Sequence, residues 1–459
     1  MSQGLGRFKP YPEYKDSGVE WLGKIPKHWR VGRLRSVASV RLSNVDKKFT
    51  EGELPVRLCN YINVYYNERL TKTIDFMKAS ATPDQVKRFS LRRGDVLITK
   101  DSESWTDIAI PSVVLEDLPD VLCGYHLAHI RPMQDHLDGP FLARTCSAIG
   151  PRDQFQIAAN GITRYGLTRD SIRAAVFALP PIAEQQGIAN LLDRKTFKID
   201  TLIAKKERLI ELLQEKRSAL ITHAVTKGLN PAASMKDSGD EFLGATPSHW
   251  LCVPLSRVTL SRCDGPFGSG LKSEHYRSSG VRVVRLQNIG TGEFVDTDHA
   301  YIEETHAREL GDHSVLADDV LVAGLGDDSH PVGRACVAPP GIHPAMVKAD
   351  CFRFRVDSRL VFPHFVARQL TATAVIAAGS LATGATRARM NLTATSQWRL
   401  ALPPINEQAV IAKFVDAADA QCSAILDVIK RGINHLNEYR TALVSAAVTG
   451  KIDLRTEVA

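Results

Sequence analysis

The stretch Leu179-Pro-Pro-Ile-Ala-Glu184-Gln185 returns 223 residues later as Leu402-Pro-Pro-Ile-Asn-Glu407-Gln408. A second stretch, Asp16-Ser-Gly-Val-Glu-Trp21-Leu-Gly-Lys-Ile-Pro26-Lys-His28-Trp29, returns 221 residues later as Asp237-Ser-Gly-Asp-Glu-Phe242-Leu-Gly-Ala-Thr-Pro247-Ser-His249-Trp250. Because the two offsets nearly agree across half of the chain, they indicate two homologous units in tandem. Two copies do not make a solenoid. They predict a pseudo-symmetric chain that performs one task twice.

The composition sets broad limits on the function. A chain of 459 residues is long enough for two to four domains, each with its own core. The hydrophobic fraction of 44% and the charged fraction of 24% are typical of soluble globular proteins. A net charge of +7 is compatible with a polyanion such as DNA, but it also occurs in enzymes that never bind nucleic acid.

The cysteines and the apolar segments exclude several classes of protein. The 8 cysteines contain no Cys-x-x-Cys pair and do not recur at the repeat offset, so neither a zinc site nor a disulfide framework is predicted. The segment from Met1 to Tyr14 lacks the apolar core of a signal peptide. The longest apolar stretch, around residues 372–385, is too short and too rich in Gly, Ser and Thr to span a bilayer. We expect a cytoplasmic protein that does not contact a membrane.

Each unit has a lead-in (16–38 and 237–259), a long middle (about 40–178 and 260–401) and a helix after its Pro-Pro pair. The middles are predicted to be mostly strands and turns. Residues 96–98 and 320–322 are expected to be buried strands, and residues 128–131 and 352–355 alternate like half-buried strands. The two middles align only in patches, which indicates a shared scaffold with different surface chemistry.

Apolar residues recur at heptad spacing after each Pro-Pro pair. They are Ile188, Leu192, Ile199, Leu202, Leu209, Leu213 and Leu220, and then Ile411, Phe414, Ala418, Ile425, Ile429, Leu436 and Leu443. Each helix can extend over roughly 30 residues, about 45 Å at ~1.5 Å per residue. Two equivalent helices, each with a narrow apolar stripe, predict an antiparallel coiled coil. The alternative is that each helix packs on its own domain.

A search for catalytic motifs finds none that is complete. The loop from Gly265 to Ser273 resembles a phosphate-binding loop, but Leu271 separates the second glycine from Lys272. His28 and His249 recur at the repeat offset, yet each stands beside a tryptophan, which favours a structural role over metal binding or general-base catalysis. No catalytic residue and no metal ligand is therefore predicted.

Some polar residues are suited to DNA instead. Thr99, Lys100, Ser102 and Trp105 follow a buried strand and combine a cation, hydroxyl groups and an aromatic ring. Other candidates follow glycines at equivalent positions of the two units or recur in both middles. The full set of DNA-binding candidates is Arg57, Asn60, Thr99, Lys100, Ser102, Trp105, Thr163, Arg164, Tyr165, Lys272, Arg285, Asn288, Thr386, Arg387 and Arg389. A solvated loop is the alternative for each residue.

The order of these elements resembles the DNA-specificity subunit of type I restriction-modification systems. The resemblance also includes patches such as Lys100-Asp-Ser-Glu-Ser-Trp105 and Asp264-Gly-Pro-Phe-Gly-Ser269, and it covers nearly the whole chain. It implies an α+β fold with two globular mixed α/β target-recognition domains, separated by two long conserved helices that form an antiparallel coiled coil. The implied division is 1–178 for the first target-recognition domain, 179–230 for the first helical spacer, 231–401 for the second domain and 402–459 for the second spacer.

The resemblance further implies a division of labour. Each target-recognition domain would read one half of a bipartite, asymmetric site in double-stranded DNA, and the helices would set the spacer and dock methyltransferase subunits. The chain would hold no cofactor. Two modification subunits would bring S-adenosylmethionine, and restriction subunits would bring ATP and Mg. The alternatives are a stand-alone methyltransferase or nuclease with a divergent active site, and a non-catalytic coiled-coil adaptor for proteins.

If the helices act as a ruler, their length sets the unspecified spacer between the half-sites. Duplicating Glu211-Leu-Leu-Gln214 adds about one turn, roughly 6 Å, to be compared with ~3.4 Å of rise per base pair. Coiled coils absorb such a four-residue stutter by local unwinding. We expect both half-site sequences to persist with a spacer longer by about one or two base pairs, as measured by methylation mapping. An unchanged spacer with full activity would show that the helices do not measure the DNA.

Overall fold

The structure, a computed structural model, describes residues 8–327, 329–381 and 388–458. It divides into two compact units, a first unit of residues 1–207 and 430–459 and a second unit of residues 208–429. Each boundary falls inside one of the two long helices. Residues 430–458 therefore belong to the same compact unit as residues 8–207.

Both units combine short strands with helices. The strands of the first unit are β1 (Tyr14–Asp16), β2 (Lys24–Pro26), β3 (Arg30–Arg33), β4 (Ala38–Leu42), β5 (Leu54–Cys59), β6 (Arg69–Leu70), β7 (Met77–Ala81), β8 (Ser90–Leu91), β9 (Val96–Thr99), β10 (Asp101–Ser102), β11 (Pro111–Val114), β12 (Leu118–Cys123), β13 (Leu127–Pro132), β14 (Tyr165–Gly166) and β15 (Val176–Leu179). The strands of the second unit are β16 (Met235–Asp237), β17 (Ala245–Pro247), β18 (Leu251–Pro254), β19 (Thr259–Cys263), β20 (Tyr276–Arg277), β21 (Val281–Val284), β22 (Tyr301–Ile302), β23 (Ser314–Val315), β24 (Val320–Ala323), β25 (Ala335–Val337), β26 (Ala345–Val347), β27 (Cys351–Val356) and β28 (Arg399–Leu402). The α-helices are α1 (Tyr61–Tyr66), α2 (Pro83–Phe89), α3 (Gly139–Ser147), α4 (Pro151–Ala158), α5 (Arg169–Ala174), α6 (Ile182–Lys227), α7 (Glu304–Glu309), α8 (Pro363–Leu381), α9 (Leu392–Ser396), α10 (Ile405–Val448) and α11 (Arg455–Val458).

The sheets of the two units share one plan. The first unit orders strands β4-β13-β9-β11-β6 in one sheet and β7-β5-β12-β8 in another, and the second unit orders β19-β27-β24-β25 and β20-β22-β21-β26-β23. The corresponding pairs β5 with β12 and β21 with β26 are parallel, and the first unit has a further parallel pair, β6 with β11. The small sheets β3-β15 and β18-β28 also correspond. The α+β class predicted from the sequence is confirmed, and the tandem repeat is visible in the topology.

The two long helices begin and end at equivalent residues. Prolines precede both helices, where a missing N–H group costs nothing. Gly228 follows α6 and Gly450 follows the last turn of α10, each with a left-handed φ, of +79° and +71°. A Cβ at Gly450 would collide with Pro26. The predicted helices are confirmed and extend over 46 and 44 residues.

Within each unit, the two helices pair in antiparallel orientation. In the first unit, Asp200 of α6 binds Arg440 of α10 at 2.9 Å, and Lys206, further along α6, lies against Gly432, earlier in α10. In the second unit, Arg217 forms an ion pair with Asp419. Further along α6, Ala224 and Val225 share a core cluster with Ile411, Ala412 and Val415 of α10. The predicted antiparallel arrangement is confirmed, but the predicted heptad stripes are not buried throughout, since Leu202, Leu209, Phe414 and Ile425 are exposed.

A glutamate in the first turn of each long helix binds the repeated His-Trp pair. Glu184 accepts hydrogen bonds from Trp29 Nε1 at 3.2 Å and from Tyr11 Oη at 2.7 Å, and it contacts His28 Nε2 at 2.8 Å. Burial and then the Glu184 carboxylate raise the pKa of Tyr11 far above its usual value, so its hydroxyl remains a donor. We call this contact the first anchor.

The second anchor repeats this contact. Glu407 accepts from Trp250 Nε1 at 3.2 Å and contacts His249 Nε2 at 2.9 Å. Both tryptophan side chains are fully buried. The two motifs that recur in the sequence therefore bind each other in each unit. The structural interpretation of His28 and His249 agrees with these contacts.

The glutamine after each anchor glutamate ties the helix to its domain. Gln185 accepts from the backbone N–H of Asp138 at 2.9 Å and donates to two carbonyls. Gln408 accepts from the N–H of Phe362 at 2.9 Å in the same way. Both side chains are fully buried, so their hydrogen bonds satisfy polar groups that water cannot reach.

The end of each long helix closes on a lead-in. Lys451 donates to the carbonyls of Leu22 and Lys24 at 2.7 and 2.6 Å, in the first unit. Lys227 donates to the carbonyls of Leu243, at 2.8 Å, and Ala245, which are the equivalent residues of the second unit. The start of α6 and the end of α10 thus hold the first lead-in, and the start of α10 and the end of α6 hold the second.

Buried ion pairs also recur at the repeat offset. Asp95 accepts two hydrogen bonds from Arg131, at 2.8 and 2.7 Å, and Asp319 accepts two from Arg355, at 2.9 and 2.8 Å. Burial would raise the pKa of Asp95, but hydrogen bonds from Arg131 and His129 outweigh it and hold the pKa below its usual value. The Asp95–Arg131 pair joins the start of β9 to β13, and the Asp319–Arg355 pair joins the start of β24 to β27.

Two details differ from the sequence-based expectations. The residues expected to alternate, 128–131 and 352–355, lie in β13 and β27, which are buried on both faces except at Arg131 and Arg355. His129 and Arg353 are buried there because each contacts a strand-end aspartate or a nearby hydroxyl group. The middles also contain more helix than expected, above all the 19-residue α8. Among the described residues, no helix combines the length and apolar character needed to cross a bilayer.

The first anchor is more deeply buried than the second, so we expect its loss to lower the free energy of unfolding by a larger amount. The Glu184 side chain is 9% exposed and binds three partners, whereas the Glu407 side chain is 32% exposed and binds two. We expect Glu184→Ala to lower the free energy of unfolding of the first unit by about 3 kcal/mol, because it leaves buried donors unsatisfied. Glu407→Ala should cost the second unit about half as much.

Hydrogen exchange in peptides around Trp29 and Trp250, measured over a denaturant series, separates the two effects. Glu184→Gln keeps an acceptor oxygen and is the control, with an expected loss well below that of Glu184→Ala. Equal losses for the two alanine variants would contradict the unequal weights.

Candidate nucleic-acid interface

Loops of the first unit meet where strands end side by side. The parallel strands β5 and β12 end in register at Cys59 and Cys123, so the loops that follow leave from one edge. Lys100, directly after β9, donates its N–H to the carbonyl of His126 at 3.1 Å. The loop after β9 and the loop after β12 are therefore neighbours.

Strand pairing adds a further loop. Asp101 and Ser102 of β10 pair with Gly166 and Tyr165 of β14. The two stretches that the sequence singled out, 99–105 and 163–165, are consequently adjacent. We call residues 60–66, 99–107, 124–126 and 161–166 the first loop cluster.

A charged network connects this cluster. Asp101 Oδ2 lies 3.2 Å from Lys100 Nζ and 2.8 Å from His126 Nδ1, and Arg164 Nη2 lies 3.3 Å from the same histidine nitrogen. The Lys100 side chain is only 12% exposed, and its ammonium lies 4.6 Å from the ring centre of Tyr125. Arg164 is exposed. Arg164 is thus the exposed arginine of this cluster, whereas the Lys100 ammonium is largely covered and contacts Asp101 and the Tyr125 ring.

The hydroxyl groups predicted to contact DNA have internal partners. Thr99 is fully buried and its Oγ1 accepts from the N–H of Ile110 at 3.0 Å. Ser102 is buried and its Oγ accepts from the N–H of Ser104 at 3.2 Å. Both residues shape the loop. Thr163 is exposed, and Tyr165 is half-buried in β14.

Aromatic rings dominate the exposed surface of the cluster. Trp105, Tyr125 and Tyr66 are all exposed. Tyr61 stacks on Tyr65 with 5.5 Å between ring centres, and Tyr65 donates to Asp107 at 2.8 Å. Burial, followed by the charge of Asp107, raises the pKa of Tyr61, so its hydroxyl remains neutral. Such a surface offers apolar and stacking contacts rather than a dense positive charge.

The second unit brings loops together in the same way. The parallel strands β21 and β26 end at Val284 and Val347, and the bridge between Leu325 and Arg389 occupies the place of the β10–β14 pair. The loop at Gly265 packs closely on Lys348, where a Cβ would collide with the backbone. We call residues 264–267, 285–288, 324–327, 348–350 and 388–390 the second loop cluster.

An arginine is the central charge of the second loop cluster. Arg389 donates from Nε to Asp350 Oδ1 at 3.0 Å, and its Nη2 lies 2.9 Å from the same oxygen. Its guanidinium carbon lies 5.9 Å from the ring centre of Phe267, which is exposed. Asp350 therefore holds one edge of the guanidinium and the Phe267 ring lies beside it, while the rest of the group faces solvent.

Four candidates at equivalent positions form internal contacts. Arg57 binds Asp120, with a shortest distance of 2.7 Å, and Arg285 binds Asp298 through Nε at 2.6 Å. Asn60 caps α1, since its Oδ1 accepts from the N–H of Asn63 at 3.2 Å. Asn288 is fully buried and donates to the carbonyls of Val295 and Asp298 at 3.0 and 2.9 Å. Both asparagine side chains form hydrogen bonds with nearby backbone groups. This structural role explains why asparagine recurs at this position in the two units.

Three candidates remain, Lys272, Thr386 and Arg387. Lys272 is exposed, and its Nζ lies 3.8 Å from Glu274. Thr386 and Arg387 lie outside the described residues. Over residues 8–327, 329–381 and 388–458, no group of three or more His, Cys, Asp or Glu side chains is placed to hold a metal ion.

The sequence-based set of candidates omitted Tyr125, His126, Phe267 and Asp350, which the structure places in the two loop clusters. Tyr125 and His126 follow β12 after Gly124, and Asp350 directly precedes β27. The available signal was their position at the ends of strands in the repeat register. It could be used only once the parallel pairing of those strands was known.

Comparison with known proteins relates this arrangement to a family. No model of a known protein family matches the sequence. The chain is 21% identical over 445 residues to a protein of Methanocaldococcus jannaschii described as the specificity subunit of type I restriction enzyme MjaX, with 95% of this chain and 96% of that protein covered. It is 23% identical over 446 residues to the StySPI specificity subunit of Salmonella potsdam, covering 94% and 90%.

Solved structures share the fold. A chain from a type I restriction-modification system has a TM-score of 0.65 at 16% identity, covering 93% of this chain and 99% of that one. The HsdS subunit from Thermoanaerobacter tengcongensis has a TM-score of 0.52 at 16% identity, covering 93% and 98%. The similarity spans nearly the full length of each relative and includes both copies of the repeat. With its duplicated anchors, the chain is similar over nearly its full length to specificity subunits of type I restriction-modification systems, and it shares their duplicated fold.

Proposed function

We propose that this chain is the non-catalytic DNA-recognition subunit of a type I restriction-modification complex, and that each unit reads one half of a bipartite, asymmetric site. The observation that carries the proposal is the pair of loop clusters. Equivalent strands present them in the two units, yet their side chains differ. A duplicated scaffold with unlike loops is suited to reading two unlike half-sites.

The chemistry of the clusters supports different readouts. The first loop cluster exposes Trp105 and Tyr125 around Arg164, and aromatic or apolar groups contact base edges such as the thymine methyl group. The second loop cluster exposes Arg389, and arginine contacts guanine or phosphate. We therefore retain 1–178 and 231–401 as the target-recognition domains, with 179–230 and 402–459 as the helical spacers.

Partner subunits supply the reaction in this proposal. Two modification subunits bind S-adenosylmethionine and transfer its methyl group to DNA, and restriction subunits use ATP and Mg. The chain contributes recognition and docking, and it holds none of these cofactors. We place the complex in the cytoplasm, where its DNA substrate lies.

The outer faces of the long helices are the proposed docking surface for the modification subunits. In the first unit, α6 exposes Phe197 and Leu202. In the second unit, α10 exposes Val410, Phe414 and Val428. Large apolar side chains that remain exposed on a helix are typical of protein contacts.

A single charge on this face tests the docking proposal. Phe197→Asp should reduce co-purification of a modification subunit with the chain, because it places a carboxylate in an apolar contact. Phe49→Asp is the matched control, since both phenylalanines are 69% exposed and Phe49 lies outside the long helices. Equal recovery of modification subunits with both variants would contradict this docking surface.

Segment exchange tests the two-reader proposal. The first loop cluster lies wholly within residues 40–178, so replacing that segment with the equivalent segment of a relative should change one half-site. The other half-site should persist because the second loop cluster is untouched. Methylation mapping in cells carrying the exchanged subunit measures both halves at once. A change in both half-sites together would refute independent readers.

A further inference from the structure

We propose that Arg389 reads a guanine in the major groove of the half-site bound by the second unit. This inference rests on the proposed function and names one residue of its recognition surface. Guanine presents two acceptors there, O6 and N7, which match the paired N–H groups of a guanidinium. The structure of the second loop cluster prepares Arg389 for this contact in three ways.

The guanidinium is oriented before any ligand binds. Nε and Nη2 both contact Asp350 Oδ1, at 3.0 and 2.9 Å, and the ring of Phe267 lies beside the guanidinium carbon at 5.9 Å. Within the described part of the chain, Nη1 donates to no group. The end of the guanidinium formed by Nη1 and the second N–H of Nη2 is therefore available. A guanidinium group that is already held in one orientation loses less conformational entropy when it forms two hydrogen bonds to one base.

The backbone beneath Arg389 is also fixed. Leu325 and Arg389 form a bridge, Gly326 donates its N–H to Ala388 at 3.0 Å, and Met390 donates to Gly324 at 2.8 Å. Gly324 in turn donates to the carbonyl of Asp350 at 2.8 Å. Asp350 has a φ of +64°, a left-handed conformation that is uncommon for a residue with a side chain. Such strain is retained where the local structure requires one particular side-chain position.

Exposure separates Arg389 from other arginines held by an acid and a ring. Arg57, Arg282 and Arg285 have the same kind of partners, but their side chains are 34%, 12% and 26% exposed, against 60% for Arg389. Arg455, held by Asp453 beside Tyr11, is 49% exposed, but it lies next to the first anchor and outside the loop clusters. In the first loop cluster the cation held in this manner is Lys100, which is 12% exposed. Arg389 therefore combines a fixed orientation with access to a ligand.

The charge of Arg389 favours a base over a phosphate. The carboxylate of Asp350 offsets most of the positive charge of Arg389. The resulting ion pair attracts the phosphate backbone of DNA only weakly. Base reading depends on hydrogen-bond geometry rather than on net charge. The same carboxylate that weakens a phosphate contact orients the fork for O6 and N7.

Methylation mapping with variants at the native locus is the first test. Arg389→Ala should keep the motif of one half-site and the spacer but relax one guanine position of the other half-site to any base. Arg389→Lys, which keeps the charge and loses the fork, should relax the same position. Arg359→Ala is the control, because Arg359 is an exposed arginine of the same unit that Asp357 holds without a ring. Unchanged motifs with both Arg389 variants would overturn the proposal.

Binding measurements on the assembled complex provide the second test, with 7-deazaguanine placed at each guanine of that half-site in turn. The unsubstituted subunit should lose affinity about 10- to 100-fold at one position, where the N7 acceptor is missing. The Arg389→Ala complex should bind normal DNA weaker by a similar factor and lose little more at that position. If no guanine shows this coupling, or if the variant weakens all sequences equally with a salt slope lower by about one, Arg389 does not read a base.

Two controls separate the possible failures. Co-purification with the modification subunits reports whether a variant folds, and the deazaguanine scan of the unsubstituted complex stands independently of any variant. If binding depends on N7 at no guanine in the scan, the inference about Arg389 is overturned. The proposed function is not affected by that result. A complex of the unsubstituted chain that binds no specific sequence would instead refute the proposed function.

Discussion

The contact between a helix-start glutamate and a His-Trp pair is the interaction on which the rest of the structure depends. Glu184 and Glu407 each lie in the first turn of a long helix, where the helix dipole favours a carboxylate. Each binds a buried tryptophan from a lead-in about 155 residues earlier in the chain. One side chain thereby determines where the helix begins and where the lead-in packs.

The anchors act together with contacts that extend along the helices. In the first unit, Arg144 of α3 binds Asp193 of α6 at 2.8 Å, and in the second unit Arg368 of α8 binds Asp416 of α10 at 3.2 Å. Each domain is thus tied to its long helix by the glutamate anchor at the helix start and by an ion pair two to three turns later. Because these ties recur, the scaffold of a unit can remain constant while its loops change.

The loop clusters show how one scaffold carries two chemistries. Both form where parallel strands end together and a later loop returns to pair with the strand-end loop. The first holds its lysine below an exposed aromatic surface, and the second holds an arginine in solvent beside Phe267. The backbone pairing corresponds, but the cations do not occupy equivalent positions, since Arg389 corresponds to Gly166 and Lys100 to Gly324. Specificity can therefore change without any change in the fold.

The sequence by itself determined the repeat, the two long helices and the buried strands β9 and β24, since these depend on local periodicity and on motif order. It also selected the loops 99–105 and 163–165. Only the tertiary structure decided that those loops are neighbours, because the register of β10 with β14 joins residues over 60 positions apart. It also decided that Asn60 and Asn288 support backbone and that Lys100 is covered. Exposure and partner choice depend on what packs nearby from distant parts of the chain, and no local pattern carries that information.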